Sequence, residues 1–203
     1  MSAVRTTDLT KMWSPQAGLR PISLTVEPGE FVVVRGRSGS GKSTLLALLA
    51  GLCTPDFGTV MVDGEVPSAA LPWSRVAFVP QVLALAVELS VRENITDAAP
   101  TTPADELHAL MDRLDLHEFA DRCVDEISMG QQQRAALARA CVVRPRVLLV
   151  DEPTSFQDGH HAAAVIAELQ RLADEGTALL VATHDEAVSA AAPRTLDLAD
   201  DVL

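Results

Sequence analysis

The run Gly36-Arg37-Ser38-Gly39-Ser40-Gly41-Lys42-Ser43 holds the residue types needed to grip a polyphosphate. Its glycines let the backbone curl until successive N–H groups face an anion. Lys42 is then aligned with the β- and γ-phosphates, and the Ser43 hydroxyl with Mg²⁺. A second set lies at Asp151-Glu152, directly after the apolar run Val147 to Val150. Asp151 suits a Mg²⁺ ion held through its water shell, and Glu152 suits a general base that polarises an attacking water. Gln81 follows Val79-Pro80, and His184 comes soon after Ala182. A neutral His184 can donate a hydrogen bond to a γ-phosphate, and the Gln81 amide can meet Mg²⁺ or the water. Each feature also has a plain reading: a strand–turn–helix for the glycines, an exposed acidic pair before Pro153, and solvated loop residues for Gln81 and His184. Together they describe a nucleoside triphosphate site.

These residues need elements to hold them. Phe31 to Val34 is a continuous apolar run, as in a strand covered on both faces. Thr44 to Leu49 continues the glycine loop as a helix that stops near Gly51. Ile22 to Val26 alternates as a half-buried strand, whereas Trp13 sits in a polar lead-in. Thr59 to Val62 runs into Asp63-Gly64, a hairpin signal, and Arg75 to Val79 reads as a buried strand. From Val91 the pattern turns helical: one helix over residues 103–122, another from Gln131 through Arg134, Leu137 and Ala140, and no convincing strand between Arg92 and Cys141. Ser128 is a plausible N-cap for the second helix, either a further anion-binding end or an ordinary cap. After Pro145 come strand 147–150, helix 161–173, strand 178–182, helix 186–191 and a short strand near 194–198. Strands alternating with helices predict right-handed βαβ units on a mostly parallel sheet. Strand carboxyl ends face one crevice in such sheets, so Gln81, Asp151, Glu152 and His184 converge there.

At 203 residues the chain is one domain long, and 48% hydrophobic content with no Tyr implies an aliphatic core. A formal net charge of −12 disfavours broad nucleic-acid binding, which needs a basic face. Cys53, Cys123 and Cys141 lack metal-ligand spacing and read as reduced structural thiols. Met1 to Gln16 shows no apolar signal core, and no run approaches a membrane span, so a cytoplasmic setting is expected.

With those residues in view, the whole chain resembles the nucleotide-binding subunit of an ATP-binding cassette (ABC) transporter. Gly36 to Ser43 matches Walker A. Ile127-Ser128-Met129-Gly130-Gln131-Gln132-Gln133-Arg134 is similar to the family signature, usually Leu-Ser-Gly-Gly-Gln. Arg146 to Thr154 matches Walker B with its following Glu-Pro-Thr. Gln81 falls at the Q-loop, Asp158 at the D-loop and His184 at the switch histidine. Trp13 falls where the family stacks an aromatic ring on adenine, the alternative being a hydrophobic anchor under the sheet.

The resemblance implies an α/β P-loop NTPase of RecA-like type, with a mostly parallel sheet, an antiparallel β part and a helical insertion. It implies one ABC ATPase domain over 1–203, its core at about 1–90 and 142–203 and its helical subdomain at about 91–141. ATP would be held by Trp13, Gly36, Ser38, Gly39, Ser40, Gly41, Lys42, Ser43 and Thr44, and by Ser128, Gly130, Gln131 and Asp158 of a head-to-tail second domain. That second domain would make a homodimer or heterodimer. Mg²⁺ would be held by Ser43, Gln81 and Asp151, with Glu152, His184 and Gln81 catalytic. Membrane permease subunits would dock near the Q-loop, keeping the protein peripheral on the inner face of the membrane. Val82 to Val87 is apolar enough for such a docking groove or, equally, for a buried strand or helix start. No nucleic acid is expected. Regulation of a non-transporting membrane partner is one alternative; a soluble ABC-type ATPase acting on DNA or ribosomes is a weaker one. The chain ends soon after His184, leaving no room for a C-terminal regulatory domain. Two departures stand out. Met129 occupies the first glycine of the signature, which puts the partner's ATP site in question. Phe156-Gln157-Asp158 replaces the usual Ala-Leu-Asp.

Overall fold

The computed structural model describes residues 1–198; the expected end of the core at 199–203 lies outside the described residues. A five-stranded parallel sheet forms the centre. It comprises β3 (Phe31–Arg35), β5 (Val76–Val79), β6 (Val147–Asp151), β7 (Ala178–Ala182) and β8 (Arg194–Asp197), in the order β5-β6-β7-β3-β8. β3, β5, β6 and β7 are covered on both faces and read as apolar runs, whereas the edge strand β8 is part-exposed and polar. Val33, Leu148, Val150, Leu179 and Val181 join a core with α2 (Val91–Ala98), α3 (Ala104–Arg113), α4 (Met129–Cys141) and α5 (Gly159–Asp174). Their neighbours Val32, Val34, Val147, Leu149 and Leu180 join a second core with α1 (Lys42–Leu49) and a three-stranded antiparallel sheet. The remaining helix is α6 (Glu186–Ala191).

The antiparallel sheet runs β2-β1-β4, from β1 (Val4–Ser14), β2 (Ala17–Val26) and β4 (Phe57–Val62). The polar lead-in expected around Trp13 is therefore a strand. Its alternation is broken by left-handed Asp8 (φ 46°) and by register shifts between Thr6 and Leu9, so the two-residue period is lost in the sequence. Pro21 sits inside β2 without conflict, because β2 is an edge strand. Asp63-Gly64 makes a tight turn closed by Val62 and Glu65, but β4 takes its ladder partner from β1 rather than from a following strand.

The helix expected over 103–122 is shorter. It ends at Arg113 because Asp115 is left-handed (φ 49°), and a single 3₁₀ turn follows at His117–Phe119. Sequence reading did not name α2, whose Ser90 cap is reciprocated by Glu93 in a capping box. Val82 to Val87 is neither strand nor helix. Leu83 and Leu85 pack on the core while Val82 and Val87 are exposed, and the buried Asn94 side chain ties down Ala86 and Leu89. The three cysteines are free thiols. Among the described residues no helix is long and apolar enough to cross a membrane.

Candidate active site

Strand β3 delivers the glycine loop to the carboxyl edge of the parallel sheet, and α1 starts from it at Lys42. Two glycines are needed for space. A Cβ on Gly36 (φ 149°) would lie 2.4 Å from Ser40 Oγ, and one on Gly41 (φ 98°) 2.6 Å from the Gly18 carbonyl. Gly39 (φ 85°) is left-handed with open space around it. The Lys42 ammonium reaches back over the loop, donating to the carbonyls of Gly36 (2.7 Å) and Arg37 (3.3 Å). Ser40 Oγ is buried without a hydrogen-bond partner.

A cleft of about 580 Å³ opens over this loop. It is lined by Gly36, Arg37, Ser38, Gly39, Gly41, Lys42, Ser43 and Thr44, and also by Trp13, Gln81, Asp151, Glu152 and His184. Four strand ends of the parallel sheet and the tip of β1 thus meet in one place. Trp13 is 60% exposed and is no anchor beneath the sheet. Its indole N–H donates to Thr44 Oγ1 (3.1 Å), and the Lys11 ammonium sits 5.1 Å from the ring centre. Ala17 and Gly18, the first residues of β2, also line the cleft; no motif in the sequence pointed to them.

Asp151 is the last residue of β6 and is buried. Burial pushes its carboxyl above the usual range; a hydrogen bond with Ser43 and the charge of Lys42 pull the other way, while Glu152 adds repulsion. Glu152 is left-handed (φ 52°) and 9% exposed. That kink interrupts the strand's alternation, so two consecutive carboxylates face one cleft. Glu152 Oε2 accepts from Thr183 Oγ1 (2.9 Å), and Oε1 lies 2.9 Å from His184 Nδ1. The backbone is fixed on both sides: Glu152 N donates to the Ala182 carbonyl (2.8 Å), and its own carbonyl accepts from Gln133 Nε2 (2.5 Å). Thr183 and Gln133 went unnoticed in the sequence as contributors here. Thr183 is adjacent to the histidine, and Gln133 lies inside the signature run, so position alone could have flagged them.

The start of α4 is a separate place. Ser128 caps it through a capping box with Gln131, and neither residue lines the cleft. Met129 is in the first helical turn, with no left-handed backbone, and is 48% exposed. Gly130 is buried against the loop after β6, where a Cβ would stand 2.6 Å from the Phe156 carbonyl. Asp158 caps α5 by accepting from His161 N (3.0 Å), and is exposed. Ser128, Gly130, Gln131 and Asp158 therefore lie apart from the phosphate loop of their own chain.

The donor set suits Mg²⁺: the Ser43 hydroxyl, the Asp151 carboxylate and the Gln81 amide oxygen are hard oxygen ligands. Among the described residues there is no cluster of three or more His, Cys, Asp or Glu that could hold a metal alone. An ion sharing its shell with phosphates and water fits that sparse set.

The ABC transporter family profile matches residues 19–155. The chain is 40% identical over 195 residues to the pyoverdine export ATP-binding/permease protein PvdT of Pseudomonas entomophila, covering 90% of this chain and 30% of that protein. It is 38% identical over 194 residues to the spermidine/putrescine import ATP-binding protein PotA of Chromobacterium violaceum, covering 92% and 54%. The chain thus spans about a third to a half of the length of these relatives. Among solved structures it is similar to the dimeric, post-hydrolysis state of the ATP-binding cassette MJ0796 bound to ADP and Pi. That match has a TM-score of 0.82 and 27% identity, over 96% of this chain and 93% of the other. A nucleotide-free ATP-binding cassette from an ABC transporter superposes with a TM-score of 0.80 at 21% identity, over 97% and 87%. The fold is that of the α/β P-loop NTPases, and the chain belongs to the ABC transporter family.

Proposed function

We propose that the chain is the ATP-hydrolysing subunit of an ABC transporter, coupling ATP binding and hydrolysis to substrate movement through separate membrane subunits. The observation that carries this is the cleft in which the glycine loop, Asp151, Glu152 and His184 meet. Backbone N–H groups of the loop and the positive end of α1 hold the phosphates. Lys42 exchanges its carbonyl partners for β- and γ-phosphate oxygens. Ser43, Asp151 and Gln81 would hold Mg²⁺, which would supply neutralisation of the charge on the phosphate oxygens. Glu152 is the general base. Thr183 and His184 each occupy one carboxylate oxygen, which leaves lone pairs free to accept a water proton. His184 is itself exposed and lines the cleft, so its ring N–H can exchange the Glu152 oxygen for a γ-phosphate oxygen. Trp13 covers the adenine end.

The separation of Ser128, Gly130, Gln131 and Asp158 from the cleft supports a head-to-tail pair, in which one chain's α4 start completes the other's site. The MJ0796 cassettes of similar fold are dimeric, which supports a pair. The same reading divides the chain into a core of about 1–90 and 142–203 and a helical subdomain of about 91–141. Permease subunits dock near Gln81, and the protein sits on the inner face of the membrane through them.

Glu152→Gln tests the proposal. The amide keeps the shape but cannot accept the proton, so turnover should fall by about 10²- to 10⁴-fold with nucleotide affinity retained. Sizing with ATP should then show a longer-lived dimer. Turnover at the parental rate would remove Glu152 from the base role.

A further inference from the structure

Behind Glu152 lies a chain of side-chain amides whose polarity is fixed from one end. Arg134 is 3% exposed and has only donors to offer. Its Nη1 donates to Gln157 Oε1 (2.8 Å), so the Gln157 amide must turn its NH₂ the other way. That NH₂ meets two acceptors, the Gly130 carbonyl (2.9 Å) and Gln133 Oε1 (3.0 Å). With its oxygen so engaged, Gln133 presents Nε2 to the Glu152 carbonyl (2.5 Å). A backbone carbonyl can only accept, so both ends of the chain demand the same orientation. Arg134 is held in turn by the Leu114 carbonyl (2.8 Å) and the Asp115 carbonyl (3.4 Å).

Glu152 needs such a restraint. A left-handed backbone at a non-glycine residue is strained and persists only where its surroundings hold it. The Gln133 bond grips the carbonyl of the very residue that carries the strain, while Ala182 holds its N–H. Gln157 stands where the family usually has leucine, which can neither accept from Arg134 nor donate to Gln133.

We propose that Gln157 and Gln133 are positioning residues for Glu152, a directional amide relay that runs from Arg134 to the Glu152 carbonyl and locks the base in its left-handed conformation. The relay ties three segments together: the start of α4, the end of β6 and the loop before α5. Its catalytic half rests on the ATPase reading given above; its structural half does not.

Gln157→Glu is the discriminating substitution, because size and the Arg134 pairing survive while the donor is lost. A carboxylate oxygen would then face the Gly130 carbonyl and Gln133 Oε1. If Gln133 turns over to satisfy it, an oxygen faces the Glu152 carbonyl instead. Two measurements on the full chain read the result: deuterium uptake of the peptide containing residues 151–156, and kcat and KM for Mg·ATP. The relay predicts faster uptake in that peptide, a fall in kcat of about ten- to a hundredfold, and KM and nucleotide affinity within about twofold of the parent. Gln157→Leu, which serves if the glutamate variant does not fold, should lower kcat in the same way. Added to Gln133→Ala, Gln157→Leu should bring no further loss of kcat, since Gln157 reaches Glu152 through Gln133.

Unchanged uptake in Gln157→Glu overturns the relay. So does faster uptake with parental kcat, a loss confined to KM, or additive effects of Gln133→Ala and Gln157→Leu. A parent chain that binds but does not hydrolyse ATP overturns the ATPase reading alone, and the uptake measurement still decides the relay.

Discussion

The glycine loop and the start of α4 are both helix N-termini, and they use glycine for different reasons. In the loop, Gly36, Gly39 and Gly41 all have positive φ, and a Cβ on Gly36 or Gly41 would collide with neighbouring atoms. At the start of α4, the helix begins at Met129 with ordinary helical backbone, after a Ser128 cap of extended conformation. Only Gly130 there needs to lack a side chain, and the constraint is its packing against Phe156 rather than φ. The first region requires a backbone conformation; the second requires only a close approach. Methionine at the usual glycine of the signature is therefore accommodated without backbone strain, its side chain half in solvent.

The contrast can be broken most forcefully in the loop. Lys42→Ala removes the only loop ammonium and should weaken Mg·ATP binding by about a hundredfold, in line with the loss of a charge-assisted contact. Tryptophan fluorescence reads this, because Trp13 is bonded to Thr44 beside the loop. Affinity equal to the parent's would take Lys42 out of the site.

Gly130→Ala probes the second region where it is tight. The added methyl meets the Phe156 backbone, so a loss of about 1–3 kcal/mol in stability is expected by chemical denaturation. A neutral result would mean that the loop before α5 yields freely.

Glu168 provides a reference away from both regions. It is buried, and Arg113 (2.7 Å) and Arg171 (2.7 Å) pair with it. Burial pushes its carboxyl up, yet the hydrogen bonds and charges of Arg171 and Arg113 outweigh that, and it ends below the usual range. A carboxyl lowered on folding stabilises above its unfolded pKa and ceases to do so as pH falls through its folded pKa. Glu168→Gln should thus melt lower than the parent at neutral pH, by about 2 kcal/mol given the partial exposure of both arginines. The difference should close in acid, and a gap that stays constant with pH would contradict the assignment.

The smallest effect is expected at Met129. Met129→Gly should change steady-state ATPase by less than about twofold at matched dimer fraction, and cost about 0.5–1 kcal/mol in helix stability. A large gain in rate would show that the methionine obstructs the partner's nucleotide after all.

How far the sequence could be read follows from how local each determinant is. The apolar runs of β3, β6 and β7 and the glycine loop between β3 and α1 are contiguous, so they were legible. β1 was not, because a left-handed aspartate and shifts of register break its period. The helix over 103–122 was overextended because a single left-handed residue, Asp115, ends it without a glycine. Gln157 was visible as a departure from the family pattern. Its partners Gln133 and Arg134 lie more than twenty residues away in the chain, so their contact emerges only on folding.

Strand order also bears on how the protein is made. Among the described residues β3 pairs only with β7 and β8, the last of the described strands to be synthesised. At roughly 5–20 residues per second, a ribosome needs about 7 to 30 seconds between completing β3 and completing β7. For that interval Phe31 to Val34 has no sheet to join, although the antiparallel sheet and α1 precede most of the gap and can shelter it. The nucleotide loop is thus translated early and finished late. Long-range parallel pairing of this kind folds slowly, so a nascent or newly refolded chain will acquire ATP binding only as its final strands arrive.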